Sequence, residues 1–384
     1  MSDKRNIPFG RPWITDTERQ AVMDVLRGDV LTHGPQAQAF EREFAAFLGA
    51  GAHCLTTSSG MAALHLAYWQ LGIGKGDEVI VAAQTHVATA HAVEAVGATP
   101  VFADCSPATG NIAADKLREL ITPRTRAIGL VHYAGIPCDM DAIMALASAH
   151  GLKVIEDCAL ALGTRYRGKH VGLFGDAAIV SFYPVKHITT GDGGMFVTRH
   201  PELAARVAKA RAFGVDRSFA ERAIPGVYDV PTLGLNYRMS DINAAIGRKQ
   251  LERIELNLTQ RRRNFERLKK ALEPLDAVRV LDADAPHAIN SHYCLTVVLR
   301  HAAARDKLVK RLNAGGVGTS VYYPHPVPRL RYYREKYGYD ASRYPNAEAI
   351  SDGSIALPVG PHVTEADIDH IGRTFTHALR EIGS

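Results

Sequence analysis

The chain of 384 residues lacks the features that mark several classes of protein. Its cysteines are odd in number, are scattered and include no C-x-x-C pair: Cys54, Cys105, Cys138, Cys158 and Cys294. This pattern argues against a disulfide framework or a zinc site and favours a reducing compartment. The stretch Met1-Ser-Asp-Lys-Arg-Asn has no apolar core, so we expect no secretory signal, and no apolar run is long enough for a membrane span. The prediction is a cytoplasmic protein with no metal site and no membrane partner.

A concentrated basic face is also missing. The net charge of +5 is mild for this length, which argues against a nucleic-acid partner and is compatible with an anionic small substrate. A basic stretch between Arg261 and Lys270 is interpreted as the solvated face of a helix.

Short apolar runs alternate with helical patterns from Cys54 to Asp157. Such runs are typical of a parallel sheet covered on both faces, so the sequence predicts an α/β layer fold. Ligands in these folds lie beyond the carboxyl ends of the strands, where Asp104, His132 and Asp157 are expected. After Thr198 the pattern changes. A long helix is predicted from Ser240 to Leu272, followed by a smaller α+β unit, and we divide the chain into a large domain (1–250) and a small domain (251–384).

One lysine stands at the mouth of the predicted sheet. Lys186 follows a strand that ends near Ser181 and precedes the glycine-rich turn to Gly194. A desolvated lysine there would lose its proton more easily than the ordinary side chain and could act as a nucleophile. On this segment alone, an ordinary surface lysine at a loop tip is an equally good interpretation.

Two further segments could serve a ligand. The turn Thr56-Thr-Ser-Ser-Gly-Met61 joins a strand to a helix, and its hydroxyls and free amides suit a phosphate, although a plain capping turn would look the same. Asp157 ends an apolar strand, where a carboxylate needs a cation or hydrogen-bond donors. It could pair with a protonated ring nitrogen, or act only as a helix cap or ion-pair partner.

Taken together, these segments resemble the pyridoxal 5′-phosphate (PLP) enzymes of fold type I. The finer resemblance is to the DegT/DnrJ/StrS family of sugar aminotransferases. It is carried over almost the whole chain by blocks that include 57–64, 76–80, 85–90, 155–159, 181–194 and 236–245. The resemblance implies a three-layer α/β fold with a mostly parallel central sheet and a smaller α+β C-terminal domain. It also implies PLP as cofactor and a homodimer whose active sites are shared.

The resemblance assigns roles by position. Lys186 forms the Schiff base with the cofactor, and Asp157 pairs with the pyridinium nitrogen. The phosphate is bound by the turn and by the end of the following strand, namely by Ser59, Gly60, Met61 and Ser181. Asn236, with Arg238, reaches it from the second subunit. His86 takes the place of the aromatic ring that stacks on the cofactor, and Leu160 stands where the family has a polar residue.

The implied reaction moves an amino group from L-glutamate to a keto sugar linked to a nucleotide. Basic groups should then line the outer site, and Lys75, His187, His325 and Arg329 are the candidates. Three alternatives stay open: a PLP- or pyridoxamine-phosphate-dependent sugar dehydratase, an aminotransferase for a keto-cyclitol, and a non-catalytic cofactor-binding relative. Retention of Lys186 and Asp157 favours the aminotransferase.

Overall fold

The structure is a computed structural model that describes residues 5–32, 34–49, 51–216, 224, 227–283 and 285–383. The helices of the first two thirds are α1 (Asp16–Arg27), α2 (Pro35–Leu48), α3 (Gly60–Gln70), α4 (Val87–Ala95), α5 (Ala114–Leu117), α6 (Met140–His150), α7 (Pro201–Ala210) and α8 (Asp241–Leu251). They are followed by α9 (Ile254–Leu272), α10 (Arg305–Ala314), α11 (Arg331–Tyr337), α12 (Pro345–Gly353) and α13 (Glu365–Glu381).

The strands form one large and two small sheets. Seven belong to the large sheet: β1 (His53–Thr57), β2 (Glu78–Ala82), β3 (Thr99–Ala103), β4 (Thr125–Val131), β5 (Lys153–Asp157), β8 (Ala177–Ser181) and β9 (Gly194–Thr198). The others are β6 (Arg165–Tyr166), β7 (Lys169–His170), β10 (Val278–Val280), β11 (Ala288–Ile289), β12 (Leu295–Leu299) and β13 (Ser354–Leu357). β2 and β9 are buried at every residue, so both faces of the large sheet are covered, as predicted.

The order of the large sheet is β1-β9-β8-β5-β4-β2-β3. The pairs from β8 to β3 are parallel, and β9 runs antiparallel to both of its neighbours. β1 is therefore parallel to β8, and the carboxyl ends of β1, β5 and β8 lie at one edge. Gly194 pairs with Thr57 on one side and with Ser181 on the other, which brings the turn after β1 close to Ser181.

A second hydrophobic core lies in the C-terminal part of the chain. The sheet β10-β12-β13 packs with α9, α10 and α13 around buried residues such as Phe265, Leu308 and Phe375. Residues between Val327 and Ile350 instead join the core of the large sheet. The division of the chain at residue 250 stays a prediction.

One prediction about the long helix was wrong, and a second holds with one exception. The segment from Ser240 to Leu272 is two helices, because Arg253 leaves the helical conformation (φ −118°, ψ 21°) and its guanidinium binds Glu18 and the carbonyl of Trp13. The basic stretch is exposed at Arg262, Arg263, Arg267 and Lys270, as predicted, whereas Arg261 is buried. Within the described residues, we find no helix with the length and apolar character that a bilayer crossing requires.

Candidate active site

Lys186 lies in the loop between β8 and β9, at the edge where the parallel strands end. Its side chain is half-buried, and its Nζ lies 5.4 Å from the centre of the Tyr293 ring. Desolvation lowers the pKa of Lys186 to about 8, and the charge of Asp157 opposes this effect in part. At pH 7.5 about a quarter of such amines are neutral, compared with about one in a thousand ordinary lysines. Of the two interpretations, the structure therefore favours a reactive amine.

Asp157 ends β5 with its carboxylate almost fully buried. Its Oδ2 accepts a hydrogen bond from the Thr89 hydroxyl (2.8 Å), and its Oδ1 accepts one from the backbone N–H of Ala159 (3.0 Å). The two hydrogen bonds fix the orientation of the carboxylate, because each of its oxygens has its own donor. A fixed, buried anion of this kind suits a cationic ring nitrogen better than a freely solvated partner.

The turn after β1 and the start of α3 form a closely packed surface against β8. Ser59 caps α3 by accepting from the N–H of Ala62 (3.1 Å), which leaves other first-turn amides of α3 without a helical partner. A Cβ added to Gly60 would lie 3.2 Å from the Cβ of Ser181, and one added to Gly194 would lie 2.6 Å from the Gly60 nitrogen. Free amides, glycine and a hydroxyl at a helix start match the needs of a phosphate group, so these residues fit PLP.

His86 is exposed at the start of α4, which it caps by accepting from the N–H of Ala88 (3.1 Å) at Nδ1. Its ring meets Tyr323 edge to face, with 5.6 Å between centroids. This solvent-accessible ring is free to stack on a planar ligand. Leu160, in contrast, is fully buried in the core, as expected for a residue that can only pack.

Sequence reasoning missed the aromatic wall, which we define as Tyr133, Tyr293, Tyr322 and Tyr323. The hydroxyls of Tyr293 and Tyr322 are 2.6 Å apart, and the Tyr133 hydroxyl donates to the Tyr322 carbonyl. From the sequence alone, Tyr322 and Tyr323 fit the core or a substrate wall equally well. No local pattern could have found this cluster, because its members come from three distant segments.

Asn236 and Arg238 flank Tyr237, whose carbonyl accepts from the N–H of Ser58 in the turn before α3 (2.8 Å). Asn236 is exposed, and the Arg238 guanidinium lies 5.0 Å from the centre of the exposed Phe213 ring. Both residues thus lie on a surface segment beside the turn that precedes α3. Their assignment to a neighbouring subunit stays a prediction.

The structure separates the candidate substrate residues. His187 is buried, and its ring binds the carbonyl of Ser291 (3.2 Å), so we leave it out of the proposed substrate site. Lys75 precedes β2 and lies at the opposite edge of the parallel sheet, so it is left out as well. Arg329 pairs with Asp352 and Glu348, and its Nη2 lies 2.7 Å from Nδ1 of the exposed His325. Arg329 and His325 remain candidates for binding the substrate at the outer part of the site.

Glu156 precedes Asp157 on β5 and points to the other face of the strand. Its buried carboxylate accepts from three backbone amides, those of Gly172, Phe174 and Gly175 (2.7–2.8 Å), and it contacts His132 Nε2 (3.1 Å). These hydrogen bonds outweigh desolvation and lower the pKa of Glu156. Cys158 completes a group with metal-ligand chemistry, but the carboxylate already has four partners. We interpret this group, which includes His132 at the end of β4, as structural.

A half-buried amine, a fixed carboxylate and a turn that suits a phosphate group lie at one edge of a mostly parallel sheet. This combination defines a class of protein, the PLP enzymes that bind their cofactor through a lysine. Comparisons with known proteins lead further within that class.

Residues 12–376 match the model of the DegT/DnrJ/EryC1/StrS aminotransferase family, and the chain belongs to this family. It is 36% identical, over 100% of its own length and 99% of the relative, to the spore coat polysaccharide biosynthesis protein SpsC of Bacillus subtilis (strain 168). Two solved structures illustrate the agreement in fold. The aminotransferase TlmJ from Streptoalloteichus hindustanus has a TM-score of 0.90 at 32% identity, and the match covers 98% of this chain and 99% of TlmJ. A Streptococcus pneumoniae protein solved in its PMP form has a TM-score of 0.92 at 28% identity, with 98% and 100% covered.

The resemblance and fold inferred from the sequence are therefore confirmed. The chain is a PLP-dependent sugar aminotransferase.

Proposed function

We propose that the chain moves an amino group from L-glutamate to a keto sugar linked to a nucleotide, and that it works as a homodimer. The observation that supports this proposal is the lowered pKa of the Lys186 amine beside Asp157, at the edge that also carries the phosphate-binding turn. A further structure in the comparison is Helicobacter pylori PseC, an aminotransferase involved in the biosynthesis of pseudoaminic acid, with a TM-score of 0.92 at 25% identity. The expected cytoplasmic location stays a prediction.

Each group has a defined task in this proposal. Ser181, together with the first amides of α3 at Ser59, Gly60 and Met61, would bind the cofactor's phosphate, and Asp157 would bind its ring nitrogen. When bound, PLP supplies an aldehyde for an amine to attack and a ring that withdraws electrons from the carbon losing its proton.

Lys186 acts as the base and the acid of the reaction. Its neutral Nζ takes the proton from the Cα of the amino donor, which requires a pKa near the working pH. The aromatic wall covers the amine from the side of Tyr293 and limits the access of water, which keeps the amine desolvated.

The surface around Asn236 supports a dimer. Apolar side chains are exposed there and at the start of α3, notably Met61, Phe213, Val227, Val230 and Leu233. An exposed apolar surface of this kind is typical of a subunit interface. A partner placed on it would bring Asn236 and Arg238 of one subunit towards the phosphate-binding turn of the other.

The proposal is tested in two steps. Purified protein mixed with PLP should show a visible absorbance band that L-glutamate bleaches, and Lys186→Ala should lose this band and its reduction by borohydride. A panel of nucleotide-linked keto sugars is then assayed with glutamate, and the products are identified by mass spectrometry. Retention of the band in the Lys186 variant would refute the role of the lysine. Release of a deoxygenated sugar without a new amine would favour the dehydratase instead.

The interface is tested separately. Asn236→Ala should weaken PLP binding by about 10-fold without changing the molar mass of the dimer in light scattering. A fully active monomer would exclude the shared site.

A further inference from the structure

The residue after Lys186 is fixed by a helix of the C-terminal part of the chain. Asn257 of α9 donates from Nδ2 to the carbonyl of His187 (2.7 Å), and the His187 ring binds the carbonyl of Ser291 (3.2 Å). All three residues are buried. The backbone carbonyl and the side chain of His187 therefore both have hydrogen-bond partners outside the loop that carries Lys186.

Arg261, one turn further along α9, extends this connection to the ring beside the amine. Its Nε donates to Oδ1 of Asn257 (2.8 Å), and its Nη1 donates to the carbonyl of Tyr293 (2.8 Å). Burial lowers the pKa of Arg261 to about 10. The contacts form a circuit that runs from Lys186 along the backbone to His187, through Asn257 and Arg261, and back through the Tyr293 ring to Nζ.

We propose that Asn257, Arg261 and Tyr293 form a positioning unit that sets the direction and surroundings of the Lys186 amine. This proposal rests on the role of Lys186 given above. A lysine has a long, flexible stem, so its reactive atom is placed only if the backbone and one face of the side chain are both restrained. Asn257 restrains the backbone, the Tyr293 ring faces the amine, and Arg261 joins the two.

The first variant is Asn257→Ala, and Asn264→Ala is its matched control. Asn264 is also a buried amide on α9, and it donates to carbonyls of Val359, Gly360 and Val363 (3.0–3.3 Å) instead of to the lysine loop. Both variants should lose comparable thermal stability. In Asn257→Ala alone we expect kcat to fall by about 10-fold while KM for glutamate changes less than about threefold, because the amine is misplaced after binding.

The second readout needs no cofactor. The rate of reductive methylation of Lys186 by formaldehyde, followed by mass spectrometry between pH 6 and 10, reports the pKa of the amine in the apo-protein. Asp157 and Cys294 raise this pKa, and His86 and His187 also interact electrostatically with the amine. Tyr293→Phe should leave the pKa unchanged, whereas Tyr293→Leu should lower it by about half a unit to one unit, because the electron-rich ring face is lost.

The outcomes separate the two proposals. The positioning unit is refuted if Asn257→Ala and Tyr293→Leu match Asn264→Ala in both the kinetic constants and the pKa of Lys186. If wild-type Lys186 forms no bond with PLP, the proposed function fails, while the pKa values of the apo-proteins still test the unit.

Discussion

Replacing Lys186 by methionine should stabilise the cofactor-free protein. In the folded chain the pKa of Lys186 lies at about 8 instead of 10.5, because burial disfavours the charged amine. At about 1.36 kcal/mol per pH unit, the folded state carries a cost of about 3 kcal/mol at pH 7. Methionine has a similar length and no charge, so Lys186→Met should raise the free energy of unfolding by up to about 3 kcal/mol.

The stability gained by Lys186→Met should depend on pH. The folded amine has the lower pKa, so the cost is fully present below pH 8 and disappears as the pH rises through 10.5. Urea denaturation of apo-proteins at pH 7 and pH 9 measures the difference, which should shrink from about 3 to about 2 kcal/mol. Lys75→Met, at an exposed turn, is the control and should stay within about 0.5 kcal/mol at both pH values. A gain that is absent, or that grows with pH, would show that the Lys186 amine is not desolvated.

Three further predictions concern other residues at or next to the candidate active site. Gly60→Ala places a methyl group 3.2 Å from Ser181 Cβ and should raise the Kd for PLP by about 10-fold in a fluorescence titration, with the melting temperature of the apo-protein nearly unchanged. Thr89→Val removes a hydrogen bond to the buried Asp157 carboxylate, and we expect a loss of about 1–3 kcal/mol in the free energy of unfolding; a variant as stable as the wild type would contradict the importance of this contact. Glu156→Gln should cost about 3–5 kcal/mol in urea denaturation, because one carboxylate oxygen that accepts from backbone amides becomes a donor.

The edge of the sheet could be predicted because its signals are local. Asp157 was expected at the end of an apolar strand, and β5 ends at this residue. A similarly local signal starts α1, where Thr15 and Glu18, three positions apart, form a capping box. In each case the residues that decide the structure are neighbours in sequence.

The features that were missed depend on distant partners. Glu252 and Arg253 are good helix formers, and only the contact of Arg253 with the N-terminal part of the chain shows why the helix is interrupted. The sequence of the run Arg261-Arg-Arg263 suggests a solvated surface. Arg261 is nevertheless buried, and its guanidinium donates hydrogen bonds to the Asn257 side chain and to the Tyr293 carbonyl. The aromatic wall likewise unites residues that are more than one hundred positions apart.

Because β5 carries two adjacent acids, its register with the neighbouring strands matters for function. Glu156 and Asp157 point to opposite faces of the strand. Glu156 accepts hydrogen bonds from buried backbone amides, and Asp157 accepts one from Thr89 on the other face. A shift of β5 by a single residue would exchange the two faces, so that the amides would lose their acceptor and the Asp157 carboxylate would leave the edge where the strands end. Insertions or deletions in this strand should therefore abolish folding and cofactor binding together.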